Sequence, residues 1–433
     1  MTDADINRLV KREVIPAVGC TEPMAVALCT AFAVQTLGQT PEKIDIALSA
    51  NILKNAMGVG IPGTGMIGLP IAVALGALYG KSEYGLEVLK DITPDQVELG
   101  KKYISEDRIS ITLKKEISEK LFIEVCCKAY RCSSTAIIAN QHDNLVYLDK
   151  MTADGKHSII KDNRNILSET EQEKKEEELT LKRVYDFATT APLADIEFIN
   201  QARKLNEEAS NNALKGNYGH NLGKTLTRPL GRGVMGDSIF SHILAATSCA
   251  CDARMAGAMI PVMCNSGSGN QGIAATMPVV VFARENHNTE EELTRALMLS
   301  HLTAIYIKQS LGRLSALCGC VVAATGSSCG ITYLMGGSFE QVSYSVKNMI
   351  ANLAGIVCDG AKPSCSLKVS SGVSTAVLSA IMAIQNDVVT SVEGIIEDDV
   401  DKSIHNLTLV GSKGMNETDR LILDIMTHKD WTL

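Results

Sequence analysis

A turn-rich loop, Val357-Cys358-Asp359-Gly360-Ala361-Lys362-Pro363-Ser364-Cys365, carries two cysteines in a Cys-x6-Cys spacing. A third cysteine, Cys320, closes the apolar helix-like run Leu317-Cys318-Gly319-Cys320. Three thiolates from two segments can hold an iron–sulfur cluster and leave one iron without a protein ligand, and an open iron is a Lewis acid. A fold that uses all three must bring these two segments face to face. The other reading is that buried cysteines serve as small hydrophobes, and Cys29, Cys126, Cys127, Cys132, Cys249 and Cys251 are read that way. Cys318 and Cys329 flank Cys320 and could be ligands in its place. A structural zinc site would want a fourth Cys or His, which Cys329 could supply.

Glycine is abundant, at 34, while aromatic residues make up 4%. With 45% hydrophobic residues, the core has to be built from Ala, Leu, Ile, Val and Met at close approach, which suits tightly packed helices. A chain of 433 residues has room for about two or three domains. Net charge is −8 and no basic block or basic–aromatic stripe is present, which argues against a nucleic-acid partner. The uncharged apolar stretch 66–80 is too short and Gly-rich for a membrane span. The N-terminus, Met1-Thr2-Asp3-Ala4-Asp5, is acidic where a secretory signal would be basic. Thirteen cysteines then read as reduced thiols of a cytoplasmic protein, not as a disulfide framework.

Periodicity divides the chain. Residues 5–14 and 25–37 read as helices, the second entered through Pro23. Residues 44–52, 108–114, 121–130, 135–139 and 145–148 read as strands of one small sheet. This is an α+β pattern. Residues 168–183 form a charge run with a capping box at Ser168-x-x-Glu171, read as a solvated helix or linker. Beyond it, 181–214, 238–259, 289–310, 339–356, 373–384 and 417–426 read as helices. The expected organisation is a mixed α/β domain over 1–165, a charged linker over 166–184 and a mainly helical domain over 185–433.

Three further segments carry candidate chemistry. In Gly19-Cys20-Thr21-Glu22-Pro23 the proline signals a helix start, so Cys20 would face a positive helix end, where a thiol pKa falls. An ordinary turn with a buried thiol reads equally well. Cys264-Asn265-Ser266-Gly267-Ser268-Gly269-Asn270-Gln271-Gly272 exposes backbone N–H groups and side-chain donors suited to a carboxylate. It contains a formal G-x-G-x-x-G, but no crossover helix fits before Pro278, which excludes a dinucleotide site. The segment 51–65 reads as a strand entering a Gly-rich loop with donors at Asn55 and Thr64, a second substrate-gripping loop that lacks the P-loop Lys. Among the histidines, His301 falls on an apolar helix face and reads as a core residue. His220 sits in a turn and is the candidate for proton traffic, with Glu22 as a second weak candidate.

These motifs, in this order, resemble the iron–sulfur L-cysteine desulfidases, relatives of the iron–sulfur L-serine dehydratases. The likeness covers nearly the whole chain. Residues from about 185 onward resemble the serine dehydratase α domain, and 1 to about 165 a diverged β domain. The resemblance implies a [4Fe–4S] cluster on Cys320, Cys358 and Cys365, without pyridoxal phosphate. It also implies Cys20 as catalytic base and Asn265, Ser266, Gly267, Ser268 and Gly269 as the loop for the substrate carboxylate. The short gap between the last two ligands is like the desulfidase branch. Where dehydratases read Gly-Cys-Gln-Gly-Glu, this chain reads Gly319-Cys320-Val321-Val322-Ala323. The expected activity is β-elimination on a small L-amino acid, L-cysteine or otherwise L-serine. A cluster-based sensor or a zinc-stabilised fold is the reading from another class. A homodimer is expected from the apolar, Ala-rich second domain.

Overall fold

The computed structural model describes residues 1–114, 117, 121–164, 179–312 and 315–428. The expected Ser168 capping box and its glutamates lie outside the described residues.

The N-terminal part is built on a six-stranded sheet. In chain order its strands are β2 (Lys43–Leu48), β3 (Ile109–Leu113), β4 (Phe122–Ala129), β5 (Cys132–Ala139), β6 (Leu145–Met151) and β7 (His157–Asp162), after a short β1 (Pro16–Val18) outside it. Their spatial order is β3-β2-β4-β5-β6-β7, with only the β2–β3 pair parallel. The two-residue alternation puts Ile44, Ile46 and Leu48 of β2 and Ile123, Val125 and Cys127 of β4 into the core. The helix Thr21–Leu37 covers that face and ends at Gly38, whose φ of 81° suits only a left-handed residue such as glycine. The helix Leu69–Tyr79 lies so close to it that a Cβ at Gly76 would sit 2.7 Å from the Ala27 carbonyl oxygen.

The second part is helical. The helices Ile239–Met255, Gly269–Glu285, Glu290–Leu311, Gly319–Leu334 and Cys365–Ile384 pack on one another around one apolar core. Small residues set the spacing. A Cβ at Gly326 would fall 2.2 Å from the Ser300 carbonyl oxygen, so the Gly319 and Glu290 helices touch along their backbones. The helix Cys365–Ile384 is long and apolar enough to cross a membrane, and half of its most apolar window is buried inside the protein.

The two parts are interleaved. The first helix, Asp3–Glu13, closed by a Thr2/Asp5 capping box, buries Ile6, Leu9 and Val10 in the helical core and not against the sheet. β1 pairs antiparallel with β8 (Pro261–Met263) from the helical part. Several boundaries differ from the sequence reading. Residues 51–56 lie in the helix Ala50–Ala56 where a strand entering a Gly-rich loop was expected. The expected helix over 181–214 breaks at Ala191-Pro192, because proline cannot continue the hydrogen-bond ladder. The Cys365 helix begins eight residues before the expected Val373, at the end of the turn-rich loop.

Candidate active site

Helix starts bring the C-terminal cysteines together. Cys318 caps the helix Gly319–Leu334 and Cys320 lies in its first turn, while Cys365 opens the helix Cys365–Ile384. A single antiparallel rung, Leu317 opposite Val357, staples the two segments. Its hydrogen bonds run from Cys318 N to Ile356 O at 2.8 Å and from Cys358 N to Ala316 O at 2.7 Å. The Cys318 thiol neighbours Cys320 and Cys358 and interacts with both. Cys320 Sγ donates to Lys368 O at 3.5 Å and Cys365 Sγ to Gly360 O at 3.6 Å. The thiol contact with Cys318, then burial, pushes the Cys358 thiol well above its ordinary range. Burial raises Asp359, but Lys362 and Lys368 outweigh it and hold the carboxyl down at about 2. Cys329 lies nine residues past Cys320, roughly 13 Å along the helix, where it accepts from the Ser345 hydroxyl at 4.0 Å. That removes it as the fourth ligand of a zinc site. No three His, Cys, Asp or Glu side chains among the described residues form a group able to hold a metal ion.

Cys20 stands at the start of the helix Thr21–Leu37 and is 1% exposed. Burial pushes its thiol up to about 12, against the opposing field of Arg254. The helix end was expected to lower it; desolvation wins. Gly19 before it has φ 69°, and a Cβ there would lie 2.5 Å from Pro62 Cγ. Cys20 is within electrostatic reach of Cys264 and Cys365.

The segment 264–269 is a tight hairpin. Asn265 and Ser268 exchange backbone hydrogen bonds of 3.0 Å around Ser266 and Gly267, whose φ values are 48° and 79°. Positive φ at both central residues defines a type I′ turn. Ser268 then caps the helix Gly269–Glu285. His301 fixes Asn265. The Asn265 amide donates to His301 Nδ1 at 3.1 Å and to its carbonyl oxygen at 3.1 Å. The Thr276 hydroxyl donates to Gly272 O, so it accepts from His301 Nε2–H at 3.0 Å. Burial holds this imidazole neutral, pushing it down to about 3. Asn265 and Ser266 therefore spend their side chains on the turn, since Ser266 Oγ donates to Asn265 Oδ1. The first N–H groups of the helix, at Gly269 and Asn270, have no partner within it.

The remaining candidates distribute unevenly. Thr64 donates its hydroxyl to Ile61 O at 2.8 Å and accepts from Met66 N at 3.0 Å, so it closes its own loop. That loop lies on the helical part through Gly60 N to Met255 O and Gly63 N to Gly257 O. Asn55 is half-buried on the helix Ala50–Ala56. His220 is exposed and lies near the buried Asp252, on an element where Gly219 touches Pro363 of the cysteine loop. Glu22 is within electrostatic reach of Cys20 and Arg254.

Three residues were missed in the sequence. Arg254 is 6% exposed and packs against Gly269; Gln271 is 5% exposed and packs against Gly319. Lys54 is buried at 3% side-chain exposure and pairs with Asp419 at 2.5 Å. A Cβ at Gly360 would lie 2.1 Å from the Lys54 carbonyl oxygen, so this helix presses on the cysteine loop. The available signal for Arg254 was a lone basic side chain in the Ala-rich run 238–259.

The chain matches the family model described as serine dehydratase alpha chain over residues 83–424. It is 66% identical to a UPF0597 protein of Bacteroides fragilis, over 99% of this chain and 100% of the relative. A UPF0597 protein of Bacteroides thetaiotaomicron is 66% identical over 97% of each chain. One from Porphyromonas gingivalis is 53% identical over 99% of each.

Proposed function

The chain belongs to the serine dehydratase alpha chain family, and from that premise we propose a lyase that carries out β-elimination on a small L-amino acid, with L-cysteine as substrate. The observation that carries the reading is the antiparallel rung Leu317–Val357, which sets the Cys318–Cys320 segment beside Cys358, with Cys365 opening the next helix. The cofactor implied by the resemblance is a [4Fe–4S] cluster. The chemistry of the donors suits it, although no three of them close on one point in this structure. Cys320 lies in the first turn of one helix and Cys365 opens another, where helix ends favour thiolates, Cys358 lies in the loop before the second, and Lys362 and Lys368 are close by. Cys320, Cys358 and Cys365 would hold it, with Cys318 in contact with two ligand-bearing positions. When bound, the cluster supplies a Lewis-acidic metal corner for the β-heteroatom.

The chain's own residues do the rest. The helix start after the 265–269 turn receives the carboxylate. The Cys20 thiolate takes the Cα proton, the Cβ–S bond breaks, and sulfur leaves with the electron pair as sulfide. The aminoacrylate then hydrolyses to pyruvate and ammonia. A thiol with a raised pKa is, once ionised, a stronger base toward a weakly acidic Cα proton. Near-complete burial of Cys20 and Asn265 keeps bulk water from that transfer. The test is anaerobic purification followed by sulfide and pyruvate assays with L-cysteine and L-serine. Sulfide and pyruvate in equal amounts from L-cysteine are expected; neither product from iron-loaded protein would overturn the reading. Pyruvate from L-serine alone would reassign the substrate.

A further inference from the structure

We propose that the buried pair Arg254 and Gln271 recognises the backbone groups of an α-amino acid, the guanidinium taking the carboxylate and the Gln271 carbonyl oxygen taking the ammonium. The proposal deepens the amino-acid reading above and rests on it.

Arg254 is a buried charge with no direct ion pair among the described residues; Glu22 acts on it only at longer range. Its Nη1 donates to Asn270 Oδ1 at 3.0 Å and lies 3.3 Å from Met255 Sδ, both neutral acceptors. Its Nε is buried with no hydrogen-bond partner. An unpaired buried cation is costly. Its position adds to the cost. The guanidinium lies against the first turn of the Gly269–Glu285 helix, where a Cβ at Gly269 would come 2.1 Å from Nε. The start of a helix is its positive end, so two positive groups face each other. An anion beside this contact, reached by the free edge of the guanidinium, would satisfy both, together with the helix's first N–H groups. Arginine's planar fork matches a carboxylate in two parallel hydrogen bonds.

Gln271 has the opposite need. Its Oε1 is buried and accepts no hydrogen bond. The side chain lies against Gly319, where a Cβ would fall 2.6 Å from its Cδ, one residue before Cys320. The adjacent Asn270 binds Arg254. One stretch of chain thus joins an unmet donor to an unmet acceptor, and the acceptor borders the cysteine group. An α-amino acid carries the complementary pair on one carbon.

The test is calorimetric binding of L-alanine, propionate and ethylamine to the full chain purified anaerobically. L-Alanine has both groups and no leaving group; the others have one group each. Wild type should bind L-alanine more tightly than either fragment. Arg254→Gln should weaken L-alanine about a hundredfold and leave ethylamine unchanged. Gln271→Leu should weaken L-alanine about tenfold and leave propionate unchanged. Arg254→Lys, which keeps the charge but loses the fork, should weaken L-alanine about tenfold and serves if Arg254→Gln does not fold. Wild-type binding no tighter for L-alanine than for ethylamine, or unaltered L-alanine binding in the arginine variants, overturns the proposal. Wild type that binds L-alanine through Arg254 yet releases no sulfide from L-cysteine refutes the desulfidase reading alone.

Discussion

The thiols of the N-terminal sheet and those of the helical part share a chemistry and differ in company. Cys29 is buried over β4 and β5, its Sγ pointing at the Ile123 and Ala136 carbonyl oxygens. Burial is the main cause that drives it and Cys127 far up. Neither has a cation or a helix start beside it. Cys318, Cys320 and Cys365 sit at two helix starts, Cys358 lies in the loop between them, and lysines are nearby. A thiol in the first setting is packing; in the second it can ionise and ligate.

That contrast breaks most sharply at Cys358. Cys358→Ser should lose its iron and essentially all turnover; a protein that keeps full iron content and its brown colour would remove Cys358 from the ligand set. Next comes Cys20→Ala. It should retain iron yet lose turnover by about 10²–10⁴-fold, the worth of a general base, and wild-type rates would exclude it from proton transfer. Acid should also separate the two regions. His301 is held neutral, with its ordinary value of 6.5 brought to about 3. Its contribution is therefore present above about 6.5 and falls as pH drops toward 3, because only the unfolded chain takes up the proton. The denaturant midpoint of wild type should drop between pH 7 and pH 5, and more than that of His301→Gln; equal drops would exclude His301 as the cause. Lys54→Met leaves Asp419 without its partner. With Asp419 a quarter exposed, the cost should be about 2 kcal/mol, visible in urea unfolding, and no change would make the pair dispensable. The smallest effect is expected from Cys29→Ala. About 1 kcal/mol of stability should go, with iron content intact; lost iron would erase the distinction between the two thiol settings.

The strands β2 to β6 were legible because apolar residues recur in them between turn residues, as in the alternating β2 and β4, whereas the short β1 and β8 and the largely exposed β7 carried no such pattern and were not read. The helices marked by caps, such as Glu290–Leu311 after Thr289, were legible for the same local reason. Non-local facts were not. Nothing local tells that Asp3–Glu13 packs with the helical part, or that Leu317 pairs with Val357. Within the site, Cys20 was marked by the proline after it, but its protonation is set by burial, which a sequence does not display. Asn265 was found as a donor, while its engagement by His301, 36 positions away, depends on two helices crossing. Arg254 escaped because its significance is its burial without a direct ion pair, which a sequence does not display.

The contact between Gly326 and the Ser300 carbonyl has a bearing on how such a protein can diverge. The helix that starts at Cys320 and the helix that carries His301 are in backbone contact there. One of them presents sulfur, and the other steadies the hairpin ahead of Arg254's neighbour Gly269. A single methyl at position 326 would pry the helices apart and misalign both halves together. Variation in substrate preference is thus steered away from this crossing and toward side chains that do not support it.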